Sequence, residues 1–164
     1  MPRAIFLVGL PASGKSTYAH NFLKSITDGP LPLLLSSDNI LMNWAEDAGI
    51  SYQDAYVKWA PQAQEEVLNM AAHAADAGID VIWDQTNLTR DQRADRMDIF
   101  PETTTFIAVA FEMPDNILNE RLEQAGKDIP KHILDGMKSA YMRPDHDEGF
   151  ESVVIISQNG TKVL

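Results

Sequence analysis

The stretch Gly9-Leu10-Pro11-Ala12-Ser13-Gly14-Lys15-Ser16-Thr17 constrains this chain more than any other, because it fits the pattern GxxxxGK[ST] at every fixed position. It follows the apolar run at residues 4–8 and precedes a helix-like segment over residues 17–26. Strand, glycine loop and helix in that order are the setting in which the motif holds phosphate. Glycines at 9 and 14 let the backbone curl into a nest, so that successive N–H groups and the start of the next helix point at one anion. Lys15 adds a positive charge toward the β- and γ-phosphates, and the Ser16 hydroxyl is placed to ligate Mg²⁺. Gly9, Pro11, Ala12, Ser13, Gly14, Lys15, Ser16 and Thr17 are therefore the expected nucleotide-binding residues.

The remaining order of elements alternates strand and helix, which predicts an α/β domain with a mainly parallel sheet. Strand-like runs at 4–8, 32–35, 80–84, 104–111 and 153–157 give about five strands in one domain over residues 1–164. Asn159-Gly160 predicts a tight hairpin after the last of them. Helices are expected over 38–48, over 53–59, from Pro61 to residue 77, after the capping-box pair Thr89 and Gln92, and after Pro114 and Pro130. The region at 114–143 reads as a lid.

Charge and composition narrow the function. The net charge is -11, with 24 acidic against 13 basic side chains, which excludes a general nucleic-acid coat. Residues 38–80 hold eight acidic side chains against Lys58. Arg90, Arg93 and Arg96 cluster, followed by Arg121, Lys127, Lys131, Lys138 and Arg143, so positive charge is expected where phosphates are handled. The absence of cysteine excludes disulfides, zinc–thiolate sites and thiol catalysis, and the four histidines lack metal-ligand spacing. With no long apolar run and no signal-peptide pattern, a cytoplasmic location is expected, in the host cytoplasm if the gene is a phage's.

A phosphate loop alone does not separate a kinase from a hydrolase or a switch. The discriminating groups sit at the carboxyl ends of the next strands, where open α/β sheets bind ligands. Asp38, just past the second strand, is placed to take the proton of an acceptor hydroxyl, with a compatible N-cap role as the structural alternative. Asp84 ends the third strand; it supports Mg²⁺, orients an acceptor-binding group, or makes a structural hydrogen bond to a neighbouring loop. Arg121, on the helix after strand four, is placed to cover the phosphates, with a surface ion pair as the alternative. Trp44, Tyr52, Tyr56 and Trp59 read as packing residues, with stacking on a base as the other reading.

The phosphate loop, then Ser36-Ser37-Asp38, then Trp83-Asp84-Gln85-Thr86-Asn87-Leu88, then a strand and an arginine-bearing lid, resemble the phage and eukaryotic polynucleotide 5′-kinase family of P-loop kinases over about residues 4–143. The resemblance implies a three-layer fold with strand order 2-3-1-4-5, ATP and Mg²⁺ dependence, and a DNA or RNA hydroxyl as acceptor. It implies Lys15, Asp38 and Arg121 as catalytic residues, Asp38, Asp84 and Asn87 as acceptor-binding residues, and Ser16 and Asp84 at the metal. Lys127 is a second candidate for the lid cation. Two departures stand out: Leu41 occupies the place of an acceptor-contacting arginine, and Gln124 and Lys127 occupy a lid stretch that is richer in arginine in the family. They leave open a hydroxymethylated base in phage DNA, a small hydroxylated compound, or a nucleotide-regulated binding module that is not an enzyme.

Overall fold

The computed structural model describes residues 1–126 and 129–164. Its sheet runs in the order β2-β3-β1-β4-β5-β6, with β1 Arg3–Gly9, β2 Leu33–Leu35, β3 Val81–Asp84, β4 Thr105–Glu112, β5 Ser152–Ser157 and β6 Gly160–Val163. Strands β2, β3, β1, β4 and β5 are parallel, as the alternating pattern predicts, and β6 folds back antiparallel on β5 at the Asn159-Gly160 turn. The hairpin thus adds a sixth strand to the expected five.

The apolar runs alternate their side chains between two cores, which is why they need no polar positions. Ala4, Phe6, Val8, Val81 and Trp83 pack with Val67, Ala71, Met97 and Phe100 on one face. Ile5, Leu7, Ile82 and Val109 pack with Ala19, Tyr18 and Phe22 on the other. Helices α3 (Tyr52–Ala77) and α4 (Arg90–Met97) supply the first face, and α1 (Lys15–Ser25) the second. The result is the three-layer P-loop kinase-type fold.

Helix α2 (Ser37–Ala48) leads into α3, and Leu41, Ala45, Ala55 and Ala63 form a small core between them. The sequence reading divides α3 at Pro61; the structure corrects this to one continuous helix with Pro61 inside it. Proline removes one helical N–H and leaves the carbonyl four residues earlier without its donor. Val57 and Pro61 are both exposed, so that carbonyl lies on the solvent side, while Ala55, Ala63, Val67, Ala71 and Ala74 hold the buried stripe in register across the break. Helices α5 (Asp115–Gln124) and α6 (Lys131–Ala140) occupy the stretch expected to serve as a lid. Among the described residues no helix is long and apolar enough to cross a membrane.

Candidate active site

The loop after β1 gathers several polar donors at the start of α1. Gly14, at φ 108°, caps α1, and no side chain caps that helix start. Lys15 is buried and its Nζ donates to the Leu10 carbonyl at 2.7 Å, folded back over the loop. Ser13 Oγ is sealed from solvent without a hydrogen-bond partner. Gly9 has no room for a side chain: a Cβ there would meet Ser13 Oγ at 2.8 Å and the Phe111 carbonyl at 3.0 Å. An uncapped helix start, an inward ammonium and an orphaned hydroxyl make a set of donors that fits a polyphosphate. Pro11 and Ala12 are half-buried in the same loop, and Thr17 is exposed one residue into α1 beyond Ser16.

Register carries Asp84 to this loop. Leu7 of β1 lies opposite Asp84, and the Gly9 amide donates to the Thr86 carbonyl at 2.9 Å, which fixes the end of β3 beside the glycine turn. Ser16 Oγ then donates to Asp84 Oδ2 at 2.7 Å. Burial pushes the Asp84 carboxyl above its ordinary value and outweighs the Ser16 hydrogen bond and the Lys15 charge that oppose it; the Asp38 charge raises it further. A buried carboxylate paired with a hydroxyl is suited to a cation. Among the described residues no three metal-type side chains cluster. Magnesium, which keeps several waters and binds through one or two carboxylates plus substrate phosphates, fits that sparse donor set.

Asp38 lies in the first turn of α2, but the cap is Ser36, whose Oγ accepts from the Asn39 amide at 3.4 Å. The N-cap reading of Asp38 is thereby set aside. Its carboxylate is exposed and accepts a 2.8 Å hydrogen bond from the Tyr52 hydroxyl, and burial together with that bond raises the Tyr52 pKa. The sequence reads Tyr52 as packing; its ring does pack on Tyr56, and its hydroxyl is in addition committed to Asp38. Gln85 is a further residue that sequence reasoning missed. It accepts from Trp83 Nε1 and donates to Ser37 Oγ and Gln64 Oε1 at 3.0 and 2.7 Å, joining β3 to α2 and α3. Leu41 is core, which explains why no charged group stands there.

Several expected contacts change role. Asn87, expected among the acceptor-binding residues, is fully buried at φ 49° and donates to the Leu7, Trp83 and Gln85 carbonyls. Its amide therefore locks the loop after β3 and is closed to an acceptor. Nor is the arginine cluster free positive charge: Arg93 is wholly buried with both Glu148 oxygens at 2.7 Å, and Arg90 pairs with Asp147. Lys138 and Arg143 pair with Asp115 and Glu112. Arg121, from α5, sits over the glycine loop, its Nη1 3.3 Å from the Ala12 carbonyl and 3.6 Å from where a Gly14 Cβ would stand. The surface ion pair considered for Arg121 is not formed with any described residue. Lys127, the other lid candidate, lies outside the described residues.

The family model described as AAA domain (AAA_33) matches residues 5–144. An L-seryl-tRNA(Sec) kinase of Methanococcus maripaludis is 25% identical over 143 residues, covering 85% of this chain and 52% of that protein. The chain thus spans about half the length of this curated relative. A chain of the Pnkp1/Rnl/Hen1 RNA repair complex aligns with a TM-score of 0.60 at 25% identity, covering 85% of this chain and 43% of that one. A sugar kinase from Janibacter sp. aligns with a TM-score of 0.62 at 20% identity, covering 96% and 86%. The family match extends over most of the sequence, and the chain belongs to the AAA_33 family of P-loop kinase-type domains.

Proposed function

We propose that this protein is an ATP- and Mg²⁺-dependent kinase that phosphorylates a hydroxyl of a nucleic acid, with a polynucleotide 5′-hydroxyl as acceptor. The observation that carries the reading is the convergence of two carboxylates of different exposure on one phosphate loop. Asp84 is buried against Ser16, whereas Asp38 is open to solvent and fixed by Tyr52. A hydrolase needs only the first arrangement. An exposed carboxylate across from the loop suits a group that must meet an acceptor.

In this reading Lys15, the start of α1 and Arg121 hold the donor phosphates and cover the charge that develops on the transferred group. Ser16 and Asp84 would hold Mg²⁺, which would supply positive charge to offset that of the donor phosphates. Asp38 orients the acceptor hydroxyl and takes its proton as the oxygen bonds to the γ-phosphorus and the bond to the β-phosphate oxygen breaks, leaving ADP. Catalysis comes from positioning and electrostatics, as the in-line transfer requires. The curated relative, named for a tRNA substrate, and the likeness to the RNA repair complex support a nucleic-acid acceptor. Because the arginines at 90, 93 and 143 are occupied by carboxylates, the acceptor is engaged at its end, without a long basic track along its backbone.

A second reading, a small hydroxylated acceptor, is favoured by that same shortage of open positive charge. A hydroxymethylated base within phage DNA is a third acceptor to set beside these. The test is transfer of labelled γ-phosphate from ATP to 5′-hydroxyl oligonucleotides, duplex DNA with hydroxymethyluracil, and sugars. Label on the oligonucleotides supports the proposal; label confined to another acceptor moves the assignment to it, and ATP binding without transfer to any of them favours a binding module.

A further inference from the structure

In the kinase reading above Asp38 meets the acceptor, and the backbone that carries it is pinned from several sides. Ser36 caps α2, accepting from the Asn39 amide. Ser37 accepts from Gln85, which also donates to Gln64 of α3, so the first turn of α2 is held to the end of β3 and to α3 at once. What remains free at position 38 is rotation of the side chain. An exposed aspartate ordinarily samples several rotamers, and a proton acceptor in the wrong one is out of line with the hydroxyl it must meet.

Tyr52 takes up that freedom. Its hydroxyl donates to Asp38 Oδ1 at 2.8 Å, and among the described residues it is the one donor that the carboxylate has. The tyrosine is itself held. It opens α3 directly after the cap Ser51, whose hydroxyl accepts from the Asp54 amide and donates to the Asp54 carboxylate, and its ring centroid lies 6.2 Å from that of Tyr56, one helical turn on. Burial, then the hydrogen bond to Asp38 and the Asp38 charge, push the Tyr52 hydroxyl above its ordinary pKa, so it stays a donor across neutral pH. Helix packing does not call for that hydroxyl. The core between α2 and α3 is built from Leu41, Ala45, Ala55 and Ala63, with Trp44 and Trp59 against it, and a phenylalanine ring would serve the Tyr56 contact as well.

We propose that Tyr52 is the positioning residue of Asp38: its hydroxyl holds Oδ1, so that Oδ2 is presented to the acceptor hydroxyl in one orientation. The inference rests on the kinase reading above and deepens it, because it adds a residue that acts on the transfer step through Asp38 and leaves nucleotide binding alone. During transfer the acceptor proton goes to Oδ2 as the acceptor oxygen bonds to the γ-phosphorus and the bond to the β-phosphate oxygen breaks. The Tyr52 proton stays on its own oxygen, and its hydrogen bond to Oδ1 persists throughout.

The experiment measures kcat and acceptor KM with labelled ATP and Mg²⁺ for the wild type, Tyr52→Phe, Asp38→Ala and the double variant, with ATP affinity and melting temperature beside them. The acceptor is a 5′-hydroxyl oligonucleotide, or whichever acceptor of the panel above the wild type labels. Tyr52→Phe keeps the ring against Tyr56 and is expected to lose about 10-fold in kcat, the size of one hydrogen bond to a charged group, with KM and ATP affinity within about 2-fold. In the Asp38→Ala background the same change is expected to leave the residual transfer where it was, since the hydroxyl then has nothing to hold. Unchanged kcat in Tyr52→Phe overturns the proposal, and so does a loss that persists at full size in the Asp38→Ala background. A bond that only staples α2 to α3 would lower the melting temperature of Tyr52→Phe and leave its kcat standing. Wild-type transfer with an unaffected Tyr52→Phe removes this proposal alone, whereas no transfer by the wild type to any acceptor of the panel removes the kinase reading and the proposal with it.

Discussion

The Ser16 hydroxyl donates to the Asp84 carboxylate at 2.7 Å, joining the first turn of α1 to the end of β3 across 68 positions of sequence. The bond holds an acid that burial makes costly to ionise. Its pKa is raised above the ordinary 3.8, with burial as the leading cause. A raised acid pKa stabilises the fold only while the group is protonated. That contribution is complete below 3.8, is lost as pH rises through the raised folded value, and leaves a cost at neutral pH.

Asp84→Asn is therefore expected to raise the melting temperature of the ligand-free protein at pH 7 by a few degrees, the size of an effect of about 1 kcal/mol in a domain of this length. The same variant should lose the Mg²⁺-dependent part of the stabilisation given by ATP. Thermal melting with and without Mg²⁺ and ATP measures both. A lower ligand-free melting temperature would show that the carboxylate supports the apo fold.

Glu148→Ala should be among the most destabilising single changes outside the phosphate loop. Arg93 is wholly buried and both its Glu148 contacts are 2.7 Å, so removal of the acid strands a guanidinium in the interior. The expected loss is about 3–5 kcal/mol, read from urea denaturation, because breaking one side of a buried pair costs more than deleting the pair. Arg93→Met combined with Glu148→Leu should cost less than Glu148→Ala alone. A double variant as unstable as the single one would contradict this.

The Arg143 guanidinium, and after it burial and the Tyr141 hydroxyl, set the pKa of Glu112, with a net lowering from the ordinary 4.5. These contacts tie the end of β4 to the segment after α6, since Glu112 ends β4 and Tyr141 and Arg143 follow α6. A lowered acid pKa stabilises above 4.5, and that stability is lost as pH falls through the lower folded value. Glu112→Gln should destabilise by up to about 1 kcal/mol at pH 7, since Arg143 is more than half exposed and solvent screens the pair. Melting curves of the two proteins should converge as pH drops below 4.5; a constant gap would remove the ion pair as its cause.

The glycine loop, the parallel sheet and the hairpin were legible because each depends on residues close together in sequence. What was misread depends on partners far away. Arg90 and Arg93 read as open charge because Asp147 and Glu148 lie 57 and 55 positions on. Asn87 read as a contact residue because nothing local shows that Leu7, 80 positions earlier, takes its amide. The Tyr52–Asp38 bond crosses between two helices whose packing the aromatic pattern foretold without its hydroxyl chemistry. Pro61 was read by the local rule against proline in helices, and the buried alanine stripe on either side overrode it.

The most direct test of the account is phosphate transfer by Asp38→Ala beside Lys15→Ala, with ATP affinity measured on both. The account predicts that Asp38→Ala loses transfer to a 5′-hydroxyl oligonucleotide by on the order of 10²- to 10⁴-fold while ATP affinity is spared, and that Lys15→Ala loses both. Near wild-type transfer by Asp38→Ala would contradict it, because no carboxylate exposed to the acceptor would then be needed.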